Sequence, residues 1–179
     1  CTKLLFNIKL PTAYPSTKSH FELTERSNIS SIMEASIGQE KTTVAPLHMA
    51  LISAAIANDG MLMQTQVIDH TTNAKEVGVT TIKSKEYGRL FTNAQATILQ
   101  EYMREVVLSG TAKSLGSKAY EAYGKTGSAQ VSDSSNDTHS WFTGYAIDSS
   151  GKKIALAVIV EKSGSGSEYA VPIAKKVFD

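Results

Sequence analysis

Lys125, Thr126, Gly127 and Ser128 follow one another within Gly124-Lys-Thr-Gly-Ser-Ala-Gln130, a run that reads as a β-strand. A fixed cation, two hydroxyls and a residue without a side chain can together hold a carboxylate through charge-assisted hydrogen bonds. Glycine weakens a strand, so Gly127 marks a place where a ligand or another backbone comes close. Three residues make a weak motif, however, and about one chain in twenty or thirty of this size contains Lys-Thr-Gly by chance. On the bland alternative, Gly124 and Gly127 flank a strand bulge and Lys125 is a solvated surface charge. A second alternative is a phosphate-binding loop, because Ala119-Tyr-Glu-Ala-Tyr-Gly-Lys-Thr126 has nearly the required spacing. There Ala119 replaces the first glycine, two tyrosines and a glutamate crowd and repel phosphate, and the residues after Thr126 are strand-like rather than helical. The phosphate reading is weak.

The elements that must position these residues are legible along the chain. Residues 1–10 look like the frayed end of a helix entered partway, and a polar stretch with Pro11 and Pro15 follows to about Ser31. Pro46 to Asn58 is a helix with proline in its first turn and Gly60 where a left-handed cap belongs. It is apolar around nearly its whole circumference, so it should be buried. Gln64 to Ile68 and Val79 to Lys83 are short β-like runs. Thr92 and Gln95 have the spacing of a capping box, and Ile98, Leu99, Tyr102, Met103, Val106 and Val107 mark one face of the helix that follows to near Gly110. A short turn covers Ala112 to Ser117.

The period then changes to two. Ala122 to Val131, Ser140 to Ile147 and Lys153 to Val160 read as strands, joined by a polar loop (132–138) and a tight turn, Asp148-Ser-Ser-Gly151. Ile154-Ala-Leu-Ala-Val-Ile-Val160 is apolar at both parities, so both its faces should be covered. Gly164 and Gly166 read as a flexible linker within Ser163 to Ser167. Ala170, Ile173, Ala174, Val177 and Phe178 give a closing amphipathic helix. Helices, an antiparallel β-sheet meander and a last helix packed on it make an α+β fold.

Composition sets limits on function. With 179 residues the chain suits one domain or a large part of one, and its hydrophobic content of 41% is ordinary. Its 18 basic against 17 acidic residues are scattered, which argues against a nucleic-acid partner. The single cysteine, Cys1, excludes an internal disulfide and a cysteine-based metal site. Cys1 fits either the lipidated first residue of a mature lipoprotein or, more simply, a cleavage boundary. No apolar run approaches the roughly 20 residues of a membrane span. His20, His48, His70 and His139 share no metal-ligand spacing, and no cofactor is implied. His48 is expected to pack on the buried helix, and His139, though near the strand, receives no role. Trp141, Phe142 and Tyr145 read as sheet packing, Tyr120 and Tyr123 as either cleft-flanking or solvent-facing, and Met61 and Met63 as core.

Context adds what the triplet lacks. Glu34-Ala-Ser-Ile-Gly-Gln39, Val44-Ala-Pro-Leu-His-Met-Ala-Leu-Ile-Ser-Ala-Ala-Ile-Ala-Asn-Asp-Gly60, Met103-Arg-Glu-Val-Val-Leu-Ser-Gly-Thr-Ala112, Gly124–Gln130 and Ser140-Trp-Phe-Thr-Gly-Tyr-Ala146 stand in a fixed order. Together, over about residues 34–178, they resemble the transpeptidase domain of penicillin-binding proteins, with the first block closer to the class B group. The resemblance implies the C-terminal part of the serine β-lactamase and penicillin-binding transpeptidase fold, with residues 1–179 forming the C-terminal portion of one domain.

In that family a serine of a Ser-x-x-Lys motif attacks the bond between two terminal D-alanines of a peptidoglycan stem peptide. An amine from a neighbouring strand then resolves the acyl-enzyme, and β-lactam antibiotics mimic the substrate. Carried onto this sequence, the resemblance gives Lys125 a place beside the proton-transfer network and the substrate carboxylate. Thr126 and Ser128 offer hydroxyls to that carboxylate, Gly127 lets the substrate backbone lie along the strand, and the Ser128 N–H serves the oxyanion hole. Serine at 128 departs from the threonine of many relatives but keeps the hydroxyl. Ser150-Gly-Lys-Lys153 and Ser134-Ser-Asn136 match Ser-x-x-Lys and Ser-x-Asn as patterns, yet both fall on the wrong elements and in the wrong order.

The expectation is therefore that the true motifs lie upstream of residue 1, on the remaining N-terminal half of the domain. The resemblance further implies an extracytoplasmic protein anchored in the cell membrane through an N-terminal segment. A non-catalytic β-lactam sensor or degenerate penicillin-binding domain, and a serine β-lactamase, are the alternatives.

Overall fold

The period-two stretch after Ser117 folds into three antiparallel strands, β5 (Tyr120–Gln130), β6 (Thr138–Asp148) and β7 (Lys153–Val160), in the order β5-β6-β7. The computed structural model describes residues 2–39, 41–131 and 137–179. Ser134 and Asn136 lie outside the described residues. Pairing of β5 with β6 runs without a register break from Tyr120–Asp148 to Gln130–Thr138, so no bulge sits at Gly124 or Gly127. The turn from β6 to β7 closes as its composition predicts. Asp148 Oδ1 accepts from the N–H groups of Ser150 and Lys152 at 2.8 and 2.9 Å.

Alternation along β5 and β6 sorts two cores. One face sends Tyr120, Ala122, Phe142 and Ala146 beneath α4 (Ala170–Phe178), together with Val107 and Leu115. The other sends Tyr145, with Tyr123 and Ile147 at its margin, against α2 (Pro46–Ala57) and α3 (Asn93–Leu108). Strand β7 is covered by α2 and by α4, as its two-parity apolar run requires. Arg104 on α3 donates to Ala122 O at 2.9 Å and lies 5.5 Å from the Tyr123 ring, which stacks on Tyr145. Tyr120 is buried and donates to Asp179 Oδ1 at 2.9 Å. Neither tyrosine lines the cavity beside Lys125 to Ser128.

Helix α2 begins at Pro46, and Gly60 just beyond it has a φ of +88°. Helix α3 carries the full capping box, Gln95 N to Thr92 Oγ1 and Thr92 N to Gln95 Oε1, at 3.2 and 3.0 Å. A 3₁₀ turn, Lys113–Leu115, follows it. The predicted apolar stripes need adjustment. On α3 Ala96, Met103 and Val107 are buried while Ile98 and Tyr102 face solvent; on α4 Ala170, Val171 and Ala174 are buried while Ile173 and Val177 are exposed. Ala170 and Ala174 let α4 lie close to the sheet, while Phe178 at its end packs on the Tyr120 and Phe142 rings.

Four expectations fail in the first half. Helix α1 (Ile29–Ser36), capped by the Asn28 side chain on Ser31 N at 2.8 Å, occupies what reads as the end of a loop. Gln64 to Ile68 is not a strand. The pairs here are β1 (Met61–Met63) with β4 (Glu86–Arg89), and β2 (His70–Thr72) with β3 (Gly78–Thr81). Leu62, rather than Met61 or Met63, enters the core.

Residues 2–10 are not a frayed helix end. After a 3₁₀ turn, Thr2–Leu4, Leu5 and Asn7 turn through positive φ, and Leu5 and Leu10 bury against Leu51, Ala55, Leu62 and Leu90. A buried histidine holds this segment. His48 Nε2 donates to Leu4 O at 2.6 Å, and Nδ1 lies 2.7 Å from Ser19 Oγ, which also accepts from Ala45 N at 3.0 Å. The edge of Phe6 packs on the ring at 4.8 Å. A carbonyl only accepts, so Nε2 carries the proton and Nδ1 accepts from Ser19 in the neutral form.

Burial pushes the His48 pKa below its ordinary 6.5, against an upward pull from the Leu4 carbonyl. The unfolded chain then binds the proton more readily than the folded one. Stability should be constant above about pH 6.5 and fall as pH drops through the lowered folded value. Thermal melts between pH 8 and pH 5 should show this decline, and H48Q should flatten it.

Candidate active site

Strand β5 is hydrogen-bonded to β6 along one side and, among the described residues, to no strand along the other. An edge of this kind presents N–H and C=O groups for an extended ligand. Lys125 and Gly127 lie opposite Thr143 and Trp141 and share the face that carries α2, while Thr126 and Ser128 occupy the reverse face. The structure thus brings all four residues to one free edge, two on each side of the strand.

Lys125 is exposed, and its Nζ donates to Thr126 O at 2.7 Å. Among the described residues no carboxylate pairs with it, so its charge is available to an anion from outside. Beneath the strand on the α2 face lies an open cavity of about 230 Å³ with an apolar floor of Ile37, Val44, Met49 and Trp141. Thr143 in its wall is fixed, donating to Met49 O at 3.1 Å and lying 2.7 Å from Ser53 Oγ. Trp141, read as sheet packing, therefore lines the cavity, whereas Phe142 and Tyr145 are fully buried as expected.

The reverse face is held by two supports. Thr111 Oγ1 lies 2.6 Å from Thr126 Oγ1. Behind Ser128 and Gly127 sits the 163–167 loop, which the sequence presents as a flexible linker and the structure shows to be docked. Buried Ser140 Oγ lies 2.9 Å from Gly164 O and 2.8 Å from Ser165 O, with its one proton directed at this carbonyl pair, Thr138 Oγ1 donates to Gly164 O, and Gly166 N donates to Ser128 Oγ at 3.4 Å. His139 Nδ1 accepts from Lys162 N at 3.1 Å and so helps seat the same loop. Repeated serines and glycines carry no period, so only the buried hydroxyl of Ser140 could have hinted at a docking partner.

The phosphate-loop reading does not survive this geometry, and Ser150 falls on the turn where its sequence position puts it. Tyr120 to Thr126 runs straight within β5, with no loop to wrap a phosphate and no helix after it. Ser150 lies in the β6–β7 turn with its Oγ on Asp148 Oδ1 at 2.7 Å. Among the described residues no group of histidine, cysteine, aspartate and glutamate could hold a metal ion.

The model of the penicillin-binding protein transpeptidase domain matches residues 4–179. The chain belongs to that family. Among curated proteins, this chain is 31% identical over 160 residues to the peptidoglycan D,D-transpeptidase MrdA of Acinetobacter baumannii, covering 82% of the chain and 24% of that protein. It is 28% identical over 149 residues to the peptidoglycan D,D-transpeptidase PbpA of Mycolicibacterium smegmatis, covering 79% and 30%. The chain thus spans under a third of the length of these relatives.

Solved structures share the fold. Penicillin-binding protein A of Mycobacterium tuberculosis, as its ceftriaxone acyl-enzyme, superposes with a TM-score of 0.83 at 22% identity, over 99% of this chain and 41% of that one. The D,D-transpeptidase domain from Eggerthella lenta gives 0.79 at 21%, over 99% and 46%.

Gly127 and Gly166 now separate into different roles. A Cβ on Gly166 would press on the carbonyls of Trp141 and Gly127, the latter at 2.6 Å, whereas a Cβ on Gly127 meets nothing nearer than Trp141 Cβ at 3.3 Å. G166A should lower stability by about 1–3 kcal/mol through overpacking against backbone. G127A should cost less than about 1 kcal/mol, since Trp141 need give way by only a few tenths of an ångström. Urea unfolding of the two variants measures the contrast, and equal losses would show that Gly127 serves packing.

Proposed function

We propose that the intact protein carrying this chain is a peptidoglycan D,D-transpeptidase that cross-links the cell wall through a serine acyl-enzyme and is acylated by β-lactams. The observation that carries this reading is the placement of Lys125-Thr126-Gly127-Ser128 on a free strand edge beside an open groove, with the cation unpaired by any described carboxylate. Support comes from the family and from the names of the relatives reported above.

On this reading the acyl-donor peptide lies along β5. Lys125 meets its terminal carboxylate and lends positive charge to the proton-transfer network. Thr126 and Ser128 donate hydroxyl hydrogen bonds to the carboxylate, Gly127 admits the peptide backbone, and the Ser128 N–H faces the developing oxyanion. The nucleophilic serine and its lysine belong to the N-terminal half of the domain, outside residues 1–179, and that half forms the other wall of the groove. The protein works outside the cytoplasmic membrane, anchored through its own N-terminal segment; among the residues described here no helix is long and apolar enough to span a membrane. Nothing in the geometry favours the sensor or β-lactamase alternatives.

Fluorescent penicillin tests this directly. The intact protein should be labelled covalently at a serine upstream of residue 1, while the 179-residue chain alone should stay unlabelled. K125A should slow labelling of the intact protein by about 100-fold or more, the scale on which a single electrostatic group at such a site acts. G127A, though folded, should slow it at least tenfold. Labelling mapped to any serine of this chain, or full-rate labelling of K125A, would defeat the assignment.

A further inference from the structure

Thr111 sits where α3 ends and the 3₁₀ turn begins, in a place fixed from both sides. Gly110 N donates to Glu105 O at 3.2 Å, Ala112 N donates to Val106 O at 3.1 Å, and Ala112 is wholly buried. The Thr111 side chain is therefore delivered to β5 by a rigid turn, and its Oγ1 stands 2.6 Å from Thr126 Oγ1. Among the described residues this is the one side-chain hydrogen bond that the Thr126 hydroxyl makes.

Each hydroxyl has one proton to donate and two lone pairs to accept with. Two hydroxyls at this distance share a single bond, so one is the donor and the other the acceptor. An ionised carboxylate only accepts. Thr126 can give its proton to a carboxylate bound beside Lys125 only when Thr111 is the donor toward Thr126. In the opposite arrangement the Thr126 proton is spent on Thr111, and a lone pair faces the incoming anion.

We infer that Thr111 is a positioning residue for carboxylate recognition: it donates to Thr126 Oγ1 and so turns the Thr126 proton toward the bound anion. This rests on the transpeptidase reading of the site. A relay of two hydroxyls ending on an anion also polarises itself, which strengthens the outer bond. Valine at 111 keeps the shape of threonine but removes the donor, leaving the Thr126 rotor unset. Serine keeps the donor.

The test is a double-mutant cycle in the intact protein, read as the second-order rate constant for acylation by benzylpenicillin. T111V should lower it about 5–10-fold, the usual worth of one hydrogen bond. The loss should appear in the concentration dependence, as weaker initial binding, with the limiting acylation rate unchanged. T111S should recover most of the loss. T126V should lower the constant by at least as much, and adding T111V to T126V should change it no further.

Wild-type behaviour of T111V, a further loss in the T126V background, or failure of T111S to recover would each overturn the assignment. The second outcome would show Thr111 touching the ligand or shaping the fold on its own. T111A, melted alongside, should match T111V in rate at a wild-type melting temperature, and a parallel loss of stability would instead mark a structural role. Absence of acylation in the wild type and every variant would remove the transpeptidase reading itself, and this inference with it.

Discussion

One constraint organises the molecule: an outer strand must be held rigid while its edge stays free. A strand inside a sheet is fixed by neighbours on both sides, but among the described residues β5 has only β6. The missing half of its support comes from above and below the sheet. Arg104 reaches from α3 to the Ala122 carbonyl, Thr111 engages Thr126, and Gly166 packs against the backbone of Gly127. The Thr111 and Gly166 contacts fall within the stretch that carries the charged and hydroxyl groups, and the Arg104 contact three residues before it. Rigidity is thereby supplied without occupying the edge where a ligand would pair.

The same economy explains the helices. Helix α2 is apolar around most of its circumference because it serves two neighbours at once: the sheet through Ile56 and Ala57, and the N-terminal segment through Leu51 and Ala55. Its polar residues are individually satisfied. Ser53 meets Thr143, and His48 meets Ser19 and Leu4. A buried hydroxyl or imidazole left without a partner costs about 1–3 kcal/mol, so each of these pairs also specifies which segment packs where. Ser53 does so for the site, since Thr143 forms part of the cavity wall. His48 does so for residues 2–21, which would otherwise have few regular hydrogen bonds to fix their path.

What the sequence showed follows from the range of the forces involved. The three strands, the capping box at Thr92, the proline start of α2 and the Lys-Thr-Gly segment are all set by residues close in the chain. They were legible for that reason. The path of residues 2–10 depends on partners at Leu51, Leu62 and Leu90, and the docking of the 163–167 loop depends on Ser140, so neither leaves a local signature. The stripe on α4 is right at Ala170 and Ala174 and too wide at Ile173 and Val177, because periodicity alone does not say how near the sheet lies. Ala170 and Ala174 are buried and Ile173 and Val177 are not, since close helix-to-sheet approach selects small side chains. Thr111 belongs to the Met103–Ala112 block that resembles the family, but only the fold sets it beside Thr126.

The alternation of the strand has a further consequence for how the site must work. Lys125 and Gly127 lie on one face of β5, and Thr126 and Ser128 on the other. A ligand resting on either face would meet only one of these pairs. Only a ligand lying along the edge, in the plane of the sheet, can be reached by a long lysine from one side and by short hydroxyls from the other while it exchanges backbone hydrogen bonds with the strand. A central strand could present the same four residues and never bring them to one ligand. The position of β5 at the border of the sheet is thus as much a part of the recognition chemistry as the residues themselves. It also explains why the supports at Thr111 and Gly166 approach from the hydroxyl face and leave the lysine face open to the groove.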